Sequence, residues 1–291
     1  MTKVDEYWNI RPIRNEHTFR ALDNIKKGIY TLENSKADSI NFSSFPKIKS
    51  IFQYDVYKDF DDKVLLDYGC GTGDSMIDAL ENSKAERVIG IDISTPALEL
   101  ADLKLRLHGI KNKTELIYID DSTIYIPLPS KSIDYIFSLG TIHHITHPDA
   151  IMKEFYRVLK DDGKCMITIY NKDSTTYHYN WVIGALNSNM HVDDFCRNRS
   201  DKSAPIGKAY TVKEIENMSN TAGFNSVEFL GGYWSKGRVI RFNGEEKRVF
   251  LENDKVDEEH KDFIKAVDTS GRYPMYEGKI CGYIAIHILK K

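Results

Sequence analysis

A glycine-rich segment is the part of the sequence best suited to holding a ligand. Gly69, Gly71 and Gly73 lie in VLLDYGCGTGD (residues 64–74), directly after an apolar run and before a helix-like stretch. Only glycine lets a backbone turn this tightly and approach a ligand closely. The amide groups of such a turn can face a polar ligand at the carboxyl edge of a sheet. The segment therefore predicts a binding loop, the alternative being a tight turn without function.

The spacing of the glycines separates two classes of cofactor. Dinucleotide enzymes use GxGxxG, but the third glycine position falls here on Asp74 or Met76, according to where the count starts. A short-chain reductase would also need YxxxK after the central strands, whereas Tyr54 and Lys58 precede the loop. The spacing therefore argues against an NAD-dependent reductase.

The pattern that is present reads DxGxGxG, with Asp67 at the end of the apolar run. It resembles the first motif of class I S-adenosylmethionine-dependent methyltransferases. The resemblance implies that the loop lies against the methionine part of the cofactor, with Asp67 near its ammonium group and Cys70 among the contacts. A carboxylate can pair with an amino group, and this cofactor has no pyrophosphate to hold.

A second acidic position fits a nucleoside. Asp92 ends the second apolar run and is followed by Ile93. An acidic side chain there can accept hydrogen bonds from both hydroxyls of a ribose. Capping the next helix is the alternative role, but Ser94 and Thr95 already offer it. We therefore place Asp92 and Ile93 in the cofactor site.

A third acidic position follows the next apolar run. Asp120, Asp121 and Ser122 stand where methyltransferases of this type commonly place an acid against the adenine amino group. The resemblance favours Asp121 as this acid, with Asp120 as the second choice. A solvated acidic turn is the alternative.

Two adjacent histidines, His143 and His144, follow the fourth apolar run. They fall on the carboxyl edge of the expected sheet, where substrates of open α/β proteins bind. Either could act as a general base, because imidazole titrates near neutrality. Orienting backbone or capping the next helix is the alternative for both. His147 lies four residues after His143 but lacks a cysteine or clear carboxylate partner, so no metal is predicted.

The stretch around these histidines, residues 138–170, closely resembles the UbiE-like group of methyltransferases, with HH…P, a helix ending in RVLK, a glycine turn and a strand. The resemblance covers roughly residues 63–171. It implies the cofactor S-adenosyl-L-methionine, the product S-adenosyl-L-homocysteine, and contacts to the cofactor from Leu139 and Gly140. It also implies in-line methyl transfer to oxygen, nitrogen or carbon of a small molecule.

Aromatic and basic residues outside the core are candidates for binding the acceptor. The N-terminal stretch and the segment after the fifth strand supply them: Tyr7, Trp8, Arg11, Arg14, His17, Tyr177 and His178. Arginine could hold a carboxylate or phosphate through two hydrogen bonds. The alternatives are an amphipathic helix with solvated arginines and a small core under a lid.

Apolar runs that alternate with amphipathic stretches predict parallel strands joined by helices. We expect a Rossmann-like doubly wound α/β fold with a mostly parallel sheet of seven strands, the last one antiparallel. The predicted strands are residues 63–68, 87–92, 114–120, 133–140, 164–170, 226–233 and 281–289. We expect one domain with an N-terminal helical cap (1–60), a cofactor-binding core (61–171), a lid (172–210) and a C-terminal part (211–291) whose residues 234–278 form a charged, loop-rich insertion.

Bulk properties exclude several classes of protein. The 291 residues carry a formal net charge of −3, which disfavours nucleic acid as a partner. The four cysteines form no CxxC pair, which argues against a zinc ribbon or disulfide scaffold. The polar N-terminus predicts no secretory signal, and no apolar run approaches the ~20 residues that span a bilayer. We therefore expect a cytoplasmic protein with a small-molecule substrate, and a homodimer is left open.

The sequence alone leaves other functions open. A nucleic-acid amino-methyltransferase would show an Asn/Asp-Pro-Pro-aromatic box where this chain has Ser138-Leu139-Gly140-Thr141. Protein methylation stays open. A protein that binds the cofactor without catalysis also stays open, although the histidine pair favours an enzyme.

Overall fold

A seven-stranded sheet forms the centre of the structure, a computed structural model that describes residues 2–12, 15–200, 205–234 and 242–291. Its strands are β1 Val64–Tyr68, β2 Arg87–Asp92, β3 Thr114–Tyr118, β4 Ile133–Leu139, β5 Leu159–Tyr170, β6 Ser226–Tyr233 and β9 Ile284–Lys290. Their order is β3-β2-β1-β4-β5-β9-β6, and β9 is antiparallel to both of its neighbours. The predicted fold is therefore confirmed.

Helices cover both faces of the sheet, and apolar side chains fill the two layers between helices and sheet. The helices are α1 Lys3–Ile10, α2 Asn15–Lys26, α3 Leu32–Phe42, α4 Phe45–Phe52, α5 Asp74–Asn82, α6 Thr95–Leu107, α7 Pro148–Val158, α8 Val182–Asn187, α9 Val192–Ser200, α10 Val212–Ala222, α11 Gly244–Glu252 and α12 Glu258–Ala266. A separate hairpin joins β7 Met275–Tyr276 to β8 Lys279–Ile280. Within the described ranges, no helix is both long and apolar enough to cross a membrane.

Local sequence signals fix the elements that carry the site. All five residues of β1 are buried, as expected for a central strand covered on both faces. The helix α6 begins with Ser94 as its N-cap, whose hydroxyl accepts a hydrogen bond from the Ala97 amide, and Pro96 stands in its first turn. Gly109, with φ of +68°, follows its end. These caps place the start of α6 directly beside the end of β2.

The fifth strand starts earlier than expected. β5 begins at Leu159 rather than at residue 164, and α7 ends at Val158. Leu159 pairs with Ile133 and Lys164 pairs with Tyr135, so residues 160–163 form a bulge opposite a single residue of β4. The glycine turn predicted there is part of this bulge.

The expectation of a loop-rich segment at 234–278 is wrong for the part that forms α11 and α12. Their charged residues pair along the helix surfaces, as in Arg248–Glu252 and Lys261–Glu258. High charge density therefore marks solvent-facing helices here. The segment after β5 is also helical, with one π-helical turn at Thr176–Trp181 followed by α8 and α9.

Candidate active site

The glycine loop crosses from the end of β1 to the end of β2. The amides of Gly69 and Cys70 both donate to the carbonyl of Ile91, at 2.7 and 3.0 Å. Gly69 has φ of +81°, and a Cβ atom at this position would lie 2.0 Å from Thr141 Oγ1. Glycine is therefore required twice over, for the backbone conformation and for the close approach of the segment after β4.

Alanine substitutions at Gly69 and Gly109 separate these two requirements. Gly69→Ala should lower the free energy of unfolding by about 2–5 kcal/mol, because the left-handed conformation costs ~1–2 kcal/mol and overpacking against Thr141 adds ~1–3 kcal/mol. Gly109→Ala is the matched control, since it has a similar φ of +68° and nothing within 4 Å of the added Cβ. Urea denaturation measures both losses. Equal losses in the two variants would show that the contact with Thr141 can relax.

Asp67 lies beneath the loop with 2% of its surface exposed. Its Oδ2 atom has no hydrogen-bond partner among the described residues. Burial, together with the nearby carboxylates of Asp92 and Asp74, raises the pKa of Asp67 well above its ordinary value. A buried carboxylate with an unpaired oxygen is costly unless a cation neutralises its charge. The site therefore fits a ligand that brings a positively charged group to the loop.

Asp92 connects two loops at the end of β2. Its Oδ2 accepts a hydrogen bond from the Gly71 amide at 2.7 Å, and its Oδ1 accepts one from the Ser94 amide at 2.8 Å. Each carboxylate oxygen can accept a second hydrogen bond. The side chain is partly exposed and lines the cavity described next. Asp92 is thus held in a fixed orientation with acceptor capacity remaining for a polyol.

A cavity of about 660 Å³, including its part open to solvent, lies at the carboxyl edge of the sheet beneath α1. Loop glycines, one carboxylate, one imidazole and a largely apolar wall surround it: Trp8, Tyr68, Gly69, Gly71, Ile91, Asp92, Ile93, Ser94, Ala97, Ile119, Leu139, Gly140, Thr141, His144 and Ile145. An apolar wall with a few fixed polar groups is typical of small-molecule and cofactor sites. The composition fits a nucleoside whose base is apolar on its faces and whose sugar is polar.

Six of the predicted cofactor residues line this cavity: Gly69, Gly71, Asp92, Ile93, Leu139 and Gly140. The remaining ones lie outside the described lining: Asp67, Cys70, Gly73, Asp120, Asp121 and Ser122. The Cys70 thiol is buried beside Gly90, where an added Cβ would lie 2.9 Å from its Sγ, and burial raises the pKa of the thiol well above the usual value. Sequence reasoning missed the apolar wall at Ile119 and Ile145, for which the available signal is that Ile119 directly follows β3 and Ile145 directly follows the histidine pair.

The two acids after β3 have local partners. The carboxylate of Asp120 accepts hydrogen bonds from the hydroxyls of Ser122 and Thr123. The carboxylate of Asp121 accepts hydrogen bonds from the amide and hydroxyl of Thr146, the amide at 3.2 Å. Asp120 therefore stabilises its own loop, whereas Asp121 joins that loop to the segment after β4. Their proposed role toward adenine stays a prediction.

His144 lines the cavity, whereas its neighbour does not. Nδ1 of His144 lies 2.6 Å from the carbonyl oxygen of Ile206. A carbonyl can only accept, so Nδ1 carries a proton and Nε2 is the basic nitrogen of the neutral ring. The ring also packs edge-to-face on Trp8, with centroids 5.3 Å apart. His144 therefore has the tautomer that a base facing the cavity requires.

His143 is buried on the other side of the same turn. Its ring lies tilted over Tyr170, with centroids 3.7 Å apart. Burial, and to a smaller extent the proximity of His144, holds its pKa well below the usual value. Its Nδ1 has no hydrogen-bond partner within the described part of the chain. His143 is thus a buried ring packed on Tyr170 outside the described cavity lining, and its predicted role as a base stays a prediction.

The predicted acceptor-binding residues are dispersed. Trp8 lines the cavity, and Tyr7 and Arg11 line a separate groove on the outer face of α1. His17 instead lies 3.0 Å from the carboxylate of Asp38, and Arg14 falls outside the described residues.

The candidates after β5 form a small core. The Tyr177 hydroxyl donates to Asp193 at 2.6 Å. Nδ1 of His178 lies 2.9 Å from Nδ1 of His260, and the His178 ring stacks on Phe263. Neither Tyr177 nor His178 is part of the described cavity lining, and their predicted role in binding an acceptor stays a prediction.

A glycine loop after β1, an acid after β2 and an antiparallel last strand together define the Rossmann-like methyltransferase class of fold. A family profile described as "Methyltransferase domain" matches residues 59–229, more than half of the chain. This chain belongs to that family. The predicted class I S-adenosylmethionine-dependent methyltransferase, with S-adenosylmethionine as cofactor, is therefore confirmed.

Individual relatives agree with this membership. The chain is 35% identical over 100 residues to demethylmenaquinone methyltransferase of Lactobacillus johnsonii. The aligned region covers 34% of this chain and 40% of that protein. It is 32% identical over 169 residues to phosphoethanolamine N-methyltransferase 2 of Caenorhabditis elegans, covering 57% of this chain and 33% of that protein. The chain thus spans less than half the length of these two relatives.

A solved structure shows the same fold. The YcgJ protein of Bacillus subtilis superposes with a TM-score of 0.53 at 16% identity, over 84% of this chain and 98% of that one. At this identity the likeness concerns the fold alone.

Proposed function

We propose that this protein transfers a methyl group from S-adenosylmethionine to a small-molecule acceptor that loses a proton in the reaction, with His144 as the general base. The observation that carries the proposal is the position of His144 in the wall of the cofactor cavity with Nδ1 bonded to Ile206. Relatives named for a quinone and for phosphoethanolamine support a small-molecule acceptor. The acceptor atom, oxygen, nitrogen or carbon, stays open.

Residues of the cavity divide the task of holding the cofactor. Asp92 would accept hydrogen bonds from ribose hydroxyls, since both of its oxygens are already oriented by backbone amides. The apolar wall that includes Ile93, Ile119 and Ile145 would hold the purine. The buried charge of Asp67 would be stabilised by the ammonium group of the methionine part.

The protein itself has few bonds to make or break in this reaction. When bound, S-adenosylmethionine supplies a methyl group already activated by its sulfonium. The protein has to orient the acceptor, exclude water and accept the proton that the acceptor loses. Nε2 of His144 can accept this proton, and the hydrogen bond from Nδ1–H to Ile206 stabilises the resulting imidazolium.

The cofactor site is tested first, by titration calorimetry with S-adenosylhomocysteine. We expect a micromolar or tighter dissociation constant, about −8 kcal/mol or better. Asp92→Ala should weaken binding roughly tenfold or more, because a charged hydrogen-bond partner contributes ~1.5–3 kcal/mol. Glu99→Ala is the control, since this exposed acid lies on the adjoining helix α6 and outside the described cavity lining.

The outcomes separate the candidate functions. Binding with the expected loss in Asp92→Ala leads to a screen of small phenols, amines and carbonyl compounds with methyl-labelled cofactor. Binding of NADH in place of S-adenosylhomocysteine would instead restore the reductase alternative.

A further inference from the structure

The helix α1 contributes Trp8 to the lining of the cofactor cavity and is joined by polar contacts to two loops beside it. Asp5, Trp8 and Asn9 are three and four residues apart and therefore share one face of the helix. This face points toward the loops that follow β2 and β3. We call these three residues the α1 clamp.

Asp5 fixes α1 to the loop after β3. Its side chain is fully buried, and its Oδ1 accepts a hydrogen bond from the Asp121 amide at 2.7 Å. Its Oδ2 accepts one from the Thr2 amide at 2.6 Å, and the Asp5 amide donates to the Thr2 hydroxyl. The same carboxylate thus caps its own helix and holds a residue 116 positions away.

Asn9 fixes α1 to the loop after β2. Its Nδ2 donates to the carbonyl of Ile93 at 3.1 Å. Its Oδ1 accepts from the amide and the hydroxyl of Thr95, at 2.9 and 2.8 Å. The Thr95 amide can only donate and the Ile93 carbonyl can only accept, so the orientation of the Asn9 amide is determined. Asn9 therefore bonds to the two residues that flank Ser94, in the loop that directly follows Asp92 at the end of β2.

Trp8 lies between these two attachments and lines the cavity together with Ile93 and Ile119. Its ring also packs against His144. The clamp therefore holds a residue that is part of the wall of the cofactor cavity and also covers one side of the proposed base. Movement of α1 away from the two loops would open both.

We propose that Asp5 and Asn9 are positioning residues that set how long the cofactor stays bound, by holding Trp8 over the cavity. The inference rests on the cofactor site and is independent of the identity of the acceptor. In Asn9→Ala, S-adenosylhomocysteine should dissociate roughly tenfold faster, because three hydrogen bonds to the loop are lost. Deuterium uptake by residues 3–10 should be slowed by S-adenosylhomocysteine in the wild type and much less in the variant.

The experiment uses stopped-flow displacement of S-adenosylhomocysteine on the full chain. Asn217→Ala is the matched control, an asparagine replaced on the exposed surface of α10, and it should dissociate at the wild-type rate. A double-mutant cycle with Trp8→Ala tests the route: the effect of Asn9→Ala should be several-fold smaller when Trp8 is already absent. A purely structural effect would be the same in both backgrounds.

Two results would overturn the clamp. One is an unchanged dissociation rate in Asn9→Ala while Asp92→Ala still weakens binding, which leaves the cofactor site intact. The other is full additivity of Asn9→Ala and Trp8→Ala. A wild type that binds no S-adenosylhomocysteine would instead count against the proposed function itself.

Asp5→Asn keeps the size of the side chain and serves as the second variant, with faster dissociation expected there too.

Discussion

Replacing His144 by asparagine should lower kcat by about 10²–10⁴-fold, the range that general bases contribute. Asparagine can keep a donor near the position of Nδ1 and so retain the hydrogen bond to Ile206, while the basic Nε2 is lost. The loss should appear in kcat, measured with methyl-labelled cofactor and an acceptor found in the screen. Binding of S-adenosylhomocysteine should change far less than turnover.

Two controls make this result specific. His191→Asn removes an exposed imidazole outside the described cavity lining and should leave kcat unchanged. In His144→Ala, added imidazole should restore part of the turnover, because it can fill the space of the missing ring and accept the proton. Wild-type turnover in His144→Asn would mean that the acceptor needs no base or finds it elsewhere.

Asp67→Asn should change the affinity for S-adenosylhomocysteine and the stability of the ligand-free protein in opposite directions. S-adenosylhomocysteine should bind at least tenfold more weakly, because a hydrogen bond to an ammonium group loses its charge, worth ~1.5–3 kcal/mol. The ligand-free variant, in contrast, should be more stable than the wild type at pH 8 by ~1–3 kcal/mol, because burial disfavours the charged form of Asp67 and its Oδ2 has no hydrogen-bond partner among the described residues.

The direction of the pH dependence follows from the raised pKa of Asp67. The folded protein holds this proton more tightly than the unfolded chain does, so wild-type stability falls as pH rises from the ordinary aspartate range to the raised pKa. Asp67→Asn should lack this fall in urea denaturation at pH 5 and pH 8. Exposed Asp254→Asn is the control. A variant less stable than the wild type at pH 8 would contradict the account.

The part of the site that follows directly from strand ends was predictable from the sequence. A glycine loop after a buried strand and an acid after the next strand must meet at one sheet edge, and Gly69 and Asp92 both line the cavity there. Contacts between distant segments were not predictable. The amide of Asp121 bonds to Asp5, and its carboxylate to Thr146, so the loop after β3 is shaped by residues with no marker near Asp121.

The two adjacent histidines show a second limit of sequence reasoning. His143 and His144 have the same side chain and equal claims as bases. The short 3₁₀ turn Ile142–His144 directs one ring to Tyr170 and the other to the cavity. Only the packing of Tyr170 and the carbonyl of Ile206, residues far along the chain, distinguishes them.

The position of β9 in the sheet has a consequence for how the chain acquires its structure. β9 lies between β5 and β6 and is the only strand in the described sheet that pairs with β6. The facing edges of β5 and β6 stay without backbone hydrogen bonds until residues 284–290 are present. Pairing of these residues with β5 also closes a long stretch of chain. Non-local pairing of this kind is slow, and unpaired strand edges invite association between chains. During synthesis, the edges of β5 and β6 that face β9 therefore stay unpaired until residues 284–290 have been made.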